Sequence, residues 1–291
     1  MNIQKKPLTH EAVRFTPVGA RAGLQASPIA PRPGFVSSEA DLGPGACFLD
    51  YDGDGRSDLL LATGNPAGAL RLYHNLGNGR FQDVTRAAGL RVHGLALGCT
   101  AGDYDNDGKT DLAISFSDHV ALFRNLGNGR FVEVTKAAGL TTHGLPLGLT
   151  FVDYDHDGDL DLALADNGTS GVHFLFRNRL PASARQRGLN VLVLDGRGRY
   201  TRAGAEVRAY KAGTRTLLGT TMVDTGSGYC SQNLAPVHLG FAAAGPVDIE
   251  VTSLTASGRL VTRVPGVDPK ALGGTPLVVR AGPPVGATAQ R

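Results

Sequence analysis

The sequence predicts an all-β, propeller-type fold, and three observations predict it. A unit of about fifty residues recurs, its marker aspartates Asp50, Asp103 and Asp153 standing 53 and then 50 residues apart. Each unit contains short leucine- and valine-rich runs separated by turn signals. The composition agrees: forty glycines, sixteen prolines and no tryptophan among 291 residues favour tight turns between short strands over long helices.

The first unit reads PGACFLDYDGDGRSDLLLATGN, continues LRLYHNLGNGRFQDVTRAAGL and ends at Leu90. The second reads LGCTAGDYDNDGKTDLAISFSDHVALFRNLGNGRFVEVTKAAGL, to Leu140. The third begins LGLTFVDYDHDGDLDLALADNGTSGVHFLFRN and stops at Asn178. Four strands are predicted per unit: one into the aspartate loop (ACFL, CTAG, LTFV), one out of it (LLLAT, LAISF, LALA), a third (LRLYHN, VALFRN, VHFLFRN) and a fourth (FQDVT, FVEVT). The GNG turn before the fourth supplies the positive φ that tight hairpins need. Four-stranded units of this period look like propeller blades, which bury their faces only against neighbours. The third unit lacks its fourth strand. The segment AVRFTPVGARAGL, Ala12 to Leu24, resembles FQDVTRAAGL and is an orphan fourth strand that could close a ring and remove exposed edges. The alternative is that NVLVL, Asn190 to Leu194, completes the third blade.

Half of the 26 acidic residues sit in three loops, DYDGDGRSD, DYDNDGKTD and DYDHDGDLD. Neighbouring carboxylates cost about 1–4 kcal/mol per pair at surface-like dielectric, which a divalent cation offsets. Carboxylates at alternating positions with glycine at the sixth form the oxygen-ligand pattern of a calcium loop. Positions 1, 3, 5 and 9 are Asp50, Asp52, Asp54 and Asp58; Asp103, Asp105, Asp107 and Asp111; Asp153, Asp155, Asp157 and Asp161. The main-chain carbonyls of Arg56, Lys109 and Asp159 stand at position 7. An EF-hand is excluded, because position 12 is Leu61, Ile114 or Leu164 and strands flank the loop. About three calcium sites are expected; magnesium, which prefers a rigid octahedron with retained waters, suits such cages less well.

These motifs resemble the FG-GAP/VCBS repeat of integrin-type propellers. From Asn190 the stretches NVLVLDGRGRYTRAGAEVRAY, VDTGSGYCSQNLAPVHLGF and VDIEVTSLTASGRLVTRVPGVDP resemble the ASPIC/UnbV domain. Repeats followed by that domain look like the cartilage-acidic-protein (CRTAC) family. The resemblance implies an N-terminal segment over 1–40 with a ring-closing strand, three calcium-binding repeats over 41–180, an ASPIC/UnbV-like β-domain over 188–281 and a tail over 282–291. The C-terminal strands fit either a small separate β-domain or blades that complete the ring. Gly226 to Tyr229 (GSGY) and His238 are its most motif-like residues, with a turn and a core-edge histidine as the plain alternatives.

Antiparallel order places the aspartate loops and GNG turns on one face of the disc. The other face collects the blade-to-blade linkers with His93 and His143, and the loops with Asn65, Asp118, His119, Asp166 and Asn167. Histidine beside carboxylate there could supply general acid–base chemistry, so His93, His143, Asp118 and His119 are the catalytic candidates. A turn-forming role for each His-Gly pair is the competing reading.

Several function classes are excluded. The basic residues are scattered without interleaved aromatics, so no nucleic acid is expected. No stretch approaches the ~20 apolar residues of a membrane helix, and no secretory leader is seen, so a cytoplasmic protein is expected. Cys47, Cys99 and Cys230 form no CxxC pair and are expected as buried thiols. GxSxG, HExxH, P-loop and dinucleotide fingerprints are absent from the sequence. Two functions remain. One is a calcium-binding module that takes a small molecule or protein on the face opposite the calcium loops. The other is a cytosolic, calcium-dependent, non-redox cyclase, isomerase, transferase or other bond-forming enzyme of specialised metabolism. Because three blades make no ordinary propeller, a homodimer is a further expectation.

Overall fold

The computed structural model describes residues 16–24, 45–63, 65, 68–142, 144–166, 173–200, 203–224, 236–255 and 258–282. Each repeat unit becomes one antiparallel sheet, as expected. Blade 1 holds β1 (Ala46–Leu49), β2 (Asp58–Ala62), β3 (Leu70–Asn75) and β4 (Phe81–Asp83) in sequential order. Blade 2 repeats it with β5 (Ala96–Gly102), β6 (Asp111–Phe116), β7 (Val120–Asn125) and β8 (Phe131–Glu133). Among the described residues, blade 3 has three strands, β9 (Pro146–Val152), β10 (Asp161–Asp166) and β11 (Phe174–Phe176). The fourth strands are shorter than the sequence suggests, because the chain turns into the tail after three residues. That tail is one helical turn: Ala88 N donates to Val84 O and Ala138 N to Val134 O, each at 2.8 Å.

The N-terminal segment adopts the same turn. In α1 (Gly19–Ala22), Ala22 N donates to Val18 O at 2.8 Å. The part of the orphan-strand prediction before Thr16 lies outside the described residues.

Side chains of a strand alternate between faces, so a blade packed on both sides needs apolar residues at successive positions. All six residues of β6 are buried, whereas β1 alternates exposed and buried. One core cluster joins Cys47, Leu60 and Leu72 of blade 1 to Cys99, Ile114 and Phe123 of blade 2. A second joins Ala113 and Leu122 of blade 2 to Leu149, Phe151, Leu162 and Leu164 of blade 3. Each fully buried leucine contributes about 1.5–3 kcal/mol, so the contacts between blades hold the three together. Cys47 and Cys99, on β1 and β5, are buried as expected, but they are joined as a disulfide with Cα atoms 6.1 Å apart, which corrects the expectation of free thiols. The repeat explains the pairing, since each cysteine lies on the first strand of its blade. Cys230 lies outside the described residues.

After α2 (Ala182–Arg185) come two sheets of interleaved order. β12 (Gly188–Leu194) lies between β15 (Val237–Gly240) and β18 (Leu277–Arg280). The other sheet runs β14 (Leu217–Met222), β13 (Glu206–Lys211), β16 (Val247–Thr255), β17 (Gly258–Val267), and α3 (Pro269–Leu272) precedes β18. The alternative in which Asn190 to Leu194 completes blade 3 is thereby corrected: these residues pair with β15 and, in parallel, with β18. Val191, Val193, Val207, Ala209, Ile249 and Val251 form a core that belongs to these two sheets. The described residues form an all-β, five-sheet arrangement of the propeller type.

Candidate metal centres

The aspartate loops fold identically because the position-1 carboxylate collects the main-chain N–H groups of its own turn. Asp50 accepts from Gly53, Asp54 and Gly55, Asp103 from Asp107 and Gly108, and Asp153 from Asp157 and Gly158, all between 2.7 and 3.1 Å. Two residues per loop are left-handed. Position 6 is the expected glycine, with φ of 80°, 87° and 94° at Gly55, Gly108 and Gly158. Position 4 was not anticipated: Gly53, Asn106 and His156 have φ of 77°, 55° and 58°. Asparagine and histidine both enter this region more readily than most other side chains.

The position-9 aspartates are the anchors. Asp58, Asp111 and Asp161 are buried, and each accepts the N–H of an asparagine at or two residues past the end of the third strand, Asn75, Asn125 or Asn178, at 2.7 Å. Positions 1, 3 and 9 converge: one carboxylate oxygen from each lies within 4.8 Å of the others in all three loops. Position 5 is not in these three groups, although Asp54 forms a further group with Asp52 and His74. Asp54, Asp107 and Asp157 each cap the N–H two residues on and pair with a cation, Arg56, Lys109, or Arg177 with Arg185.

The donor set suits a hard divalent cation. Asp105 Oδ1 and Asp155 Oδ1 are buried without a hydrogen-bond partner, a costly state for a carboxylate oxygen unless it faces a cation. Burial first, and repulsion among the aspartates after it, pushes Asp111 up to about 9 and Asp103 up to about 7. Burial likewise raises Asp58 and Asp161 to about 6. Such groups take up protons unless positive charge is supplied.

The residue before Asn75, Asn125 or Asn178 sets the three loops apart. Arg124 spans Asp105 (2.6 Å) and Asp107 (3.1 Å), and Arg177 spans Asp155 (2.8 Å) and Asp157 (3.0 Å). In blade 1 the same place is His74, whose Nδ1 lies 3.2 Å from Asp58 and 3.3 Å from Asp52.

The C-terminal sheets close over loops 2 and 3. A Cβ on Gly240 would overlap the Asp103 carboxylate, one on Gly188 the Gly158 carbonyl, and one on Gly274 the His156 carbonyl. Gly188 and Gly240 are cross-strand partners in β12 and β15. Beside them, His238 Nδ1 lies 2.9 Å from Asn190 Oδ1 and Nε2 lies 2.7 Å from Asn106 Oδ1. Asn190 Nδ2 donates to Asp153 Oδ2 at 2.6 Å, and Asn106 Nδ2 to Gly158 O at 2.9 Å. The enclosing protein pushes His238 down to about 4. The two amide oxygens act the other way, since only the protonated ring donates to both. His238 thus clasps loops 2 and 3 rather than lining a pocket; GSGY lies outside the described residues.

On the opposite face, His93 is exposed. Asp118 and His119 are paired at 2.7 Å with side chains 78% and 45% exposed. The His119 ring stacks on Phe116 at 4.6 Å, and the linker glycine Gly94 packs against the same ring. In blade 3 the equivalent Gly144 fits against the Asp166 carboxylate, which accepts from Leu145 N at 2.7 Å. With φ of 120° and 97°, these glycines account for the repeated spacing of the His-Gly linkers as turn geometry. Asn65 N donates to Thr63 Oγ1 at 3.1 Å, a local turn contact. His143 and Asn167 lie outside the described residues.

A family model described as an FG-GAP-like repeat matches the chain twice, over residues 50–114 and 103–164. These blades are FG-GAP-like repeats. Each match starts on a position-1 aspartate and runs through the next loop to the second strand, so the loop and its flanking strands carry the likeness. No curated protein matches the chain. The FG-GAP-like propeller blades identify a binding fold in general. Sequence reasoning missed the braces Asn75, Asn125 and Asn178, although their signal was present: an asparagine ends the third strand in every unit.

Proposed function

We propose that the protein is a calcium-stabilised binding module that engages a small molecule or protein on the face opposite its aspartate loops. The observation that carries this is the repeated cage with an orphaned, buried carboxylate oxygen in loops 2 and 3. Asp50, Asp52 and Asp58, Asp103, Asp105 and Asp111, and Asp153, Asp155 and Asp161 would hold the ion. The position-5 carboxylates and the carbonyls of Arg56, Lys109 and Asp159 stand close enough in sequence to complete the shell. A bound divalent ion supplies positive charge that keeps these aspartates ionised and fastens the first two strands of each blade. The chain's own residues do the rest: asparagines orient position 9, and turn N–H groups orient position 1.

With the C-terminal sheets over loops 2 and 3, the linker face carrying His93, Asp118 and His119 is the one left for a partner. The exposure of Asp118 and His119 and the packing role of Gly94 and Gly144 favour binding over acid–base catalysis. Elemental analysis after calcium loading and desalting tests the reading. About three calcium ions per chain are expected, with a melting temperature that falls on chelation. Metal-free protein with an unchanged melting temperature would refute it.

A further inference from the structure

The blade stack has two open ends, and they complement each other. Inside the chain, Phe151 and its cross-strand partner Leu162 on blade 3 pack against Ala113 and Leu122 on blade 2. Ala113 and Leu122 are themselves cross-strand partners, and their equivalents on blade 1, Leu60 and Leu72, are fully buried against blade 2. The same pair on blade 3 is Ala163 and Leu175, and there Leu175 is 55% exposed. At the other end, the counterparts of Phe151 and Leu162 are Phe48 and Leu59 on blade 1; Leu59 is 8% exposed, and Phe48, 58% exposed, is the side chain presented there. Each end offers one half of the contact that joins the blades.

The tails show a second gap. Gly89, in the tail of blade 1, sits against the carbonyl of Phe131 in the fourth strand of blade 2, with 3.0 Å to a notional Cβ. Gly23, in the N-terminal tail, sits likewise against the carbonyl of Phe81, at 2.6 Å. Gly139, in the tail of blade 2, has nothing within 4 Å of the same position. Its partner should be the fourth strand of blade 3, and β11 is the edge of that sheet among the described residues. The missing strand exists in the sequence. RFTPVGARAGL at 14–24 aligns with RFQDVTRAAGL at 80–90 and RFVEVTKAAGL at 130–140, so Phe15 corresponds to Phe81 and Phe131. Because Gly23 is docked on blade 1, the residues before it are delivered to a blade on the far side of blade 1 from blade 2. Blade 3 lies on the other side of blade 2.

We propose that two copies of this chain join head to tail into one closed ring of six blades. Each copy inserts residues 14–17 as the fourth strand of its partner's blade 3 and seats Phe48 on the partner's Ala163 and Leu175. Six blades fall within the range of four to eight in which propellers close. A head-to-tail contact that closes after two copies removes both open ends and both bare strand edges. The assembly does not depend on the calcium reading, since its contacts are apolar side chains and strand pairing.

Sedimentation of the full chain tests it, with a particle of twice 30.3 kDa expected. Phe48→Asp and Leu175→Asp alter exposed side chains, so each variant should keep the parent's circular dichroism while sedimenting as a monomer. Mixing the two restores one intact junction, and 1:1 dimers are expected. Phe15→Asp should weaken the dimer at least about tenfold, a loss of about 1.4 kcal/mol. A monomeric parent, an open polymer, a dimer that survives both single substitutions, or a mixture that does not associate would each overturn the proposal.

Discussion

The side-chain amide of Asn125 donates to the main-chain carbonyl of Tyr51 at 2.8 Å, tying the third strand of blade 2 to the aspartate loop of blade 1. The same amide holds Thr110 O at 3.0 Å, and the Asn125 N–H holds Asp111. Asn178 repeats the arrangement one blade on, with Tyr104 O at 2.7 Å and Leu160 O at 3.0 Å. A single residue type therefore both orients a position-9 carboxylate and braces the preceding loop.

Replacing Asn125 by Ala leaves two loop carbonyls without their donor in a buried setting, since Asn125 is only 1% exposed. The expected loss is about 1–3 kcal/mol. Among the described residues, the Asn75 amide donates to its own loop alone, through Ser57 O in an exposed position, so Asn75→Ala should cost less. Urea titrations of both variants check the ranking, and equal losses would contradict the interblade role of Asn125.

Chelation should act unequally on the loops. Position by position loop 1 is the more open: Asp52 is exposed where Asp105 and Asp155 are half-buried, and Asp50 is half-buried where Asp103 and Asp153 are buried, while the position-9 aspartates are buried in all three loops. One calcium equivalent should exchange quickly and two slowly when a chelator is mixed with loaded protein. Asp105→Asn should remove one equivalent from the slow phase, because it deletes a charge at an oxygen that has no other partner. Three equal rates would argue against occlusion of loops 2 and 3.

Blades and loops were legible in the sequence because their signals are local. Aspartates at 1, 3, 5 and 9 with glycine at 6 lie within nine residues, and the fifty-residue period repeats the pattern three times. The His74, Arg124 and Arg177 series was visible in the same alignment and went unused, since nothing local says that a third strand ends over the loop. The seat of the C-terminal sheets was not legible. Gly188, Gly240 and Gly274 resemble ordinary turn glycines until folding brings each against a loop that lies 30 or more residues away. His238 looked like a core-edge residue because its partners, Asn106 and Asn190, are 132 and 48 residues distant.

The calcium-free protein should lose stability as pH rises. Asp103 and Asp111 have folded values near 7 and 9, against about 3.9 when unfolded. Between those limits the folded chain binds more protons than the unfolded one, so unfolding free energy falls with increasing pH. The contribution is complete below about pH 4 and is lost through about pH 9. Calcium competes with those protons and reverses the trend, because the ion needs ionised ligands. Melting temperatures from about pH 5 to about pH 8 should fall in chelator, with the gap to the calcium-loaded protein widening. A rise in chelator would contradict the assignment.

Gly240→Ala isolates the seat of the C-terminal sheets. The added methyl would meet the Asp103 carboxylate and the backbone of Asn106, and neither can retreat easily, since Asp103 holds its own turn and Asn106 is fully buried. Overpacking of this kind costs about 1–3 kcal/mol. The same methyl displaces the position-1 carboxylate of loop 2, so calcium affinity should fall there while loop 1, which Gly240 does not touch, keeps its own. Gly245→Ala serves as the comparison, because nothing lies within 4 Å of its Cβ position and only the strain of its φ of 145° is added. Calorimetric calcium titration of both variants separates the effects. Weakened binding of one equivalent in Gly240→Ala, with all equivalents retained in Gly245→Ala, is the expected result; equal behaviour would mean that β15 does not shape loop 2.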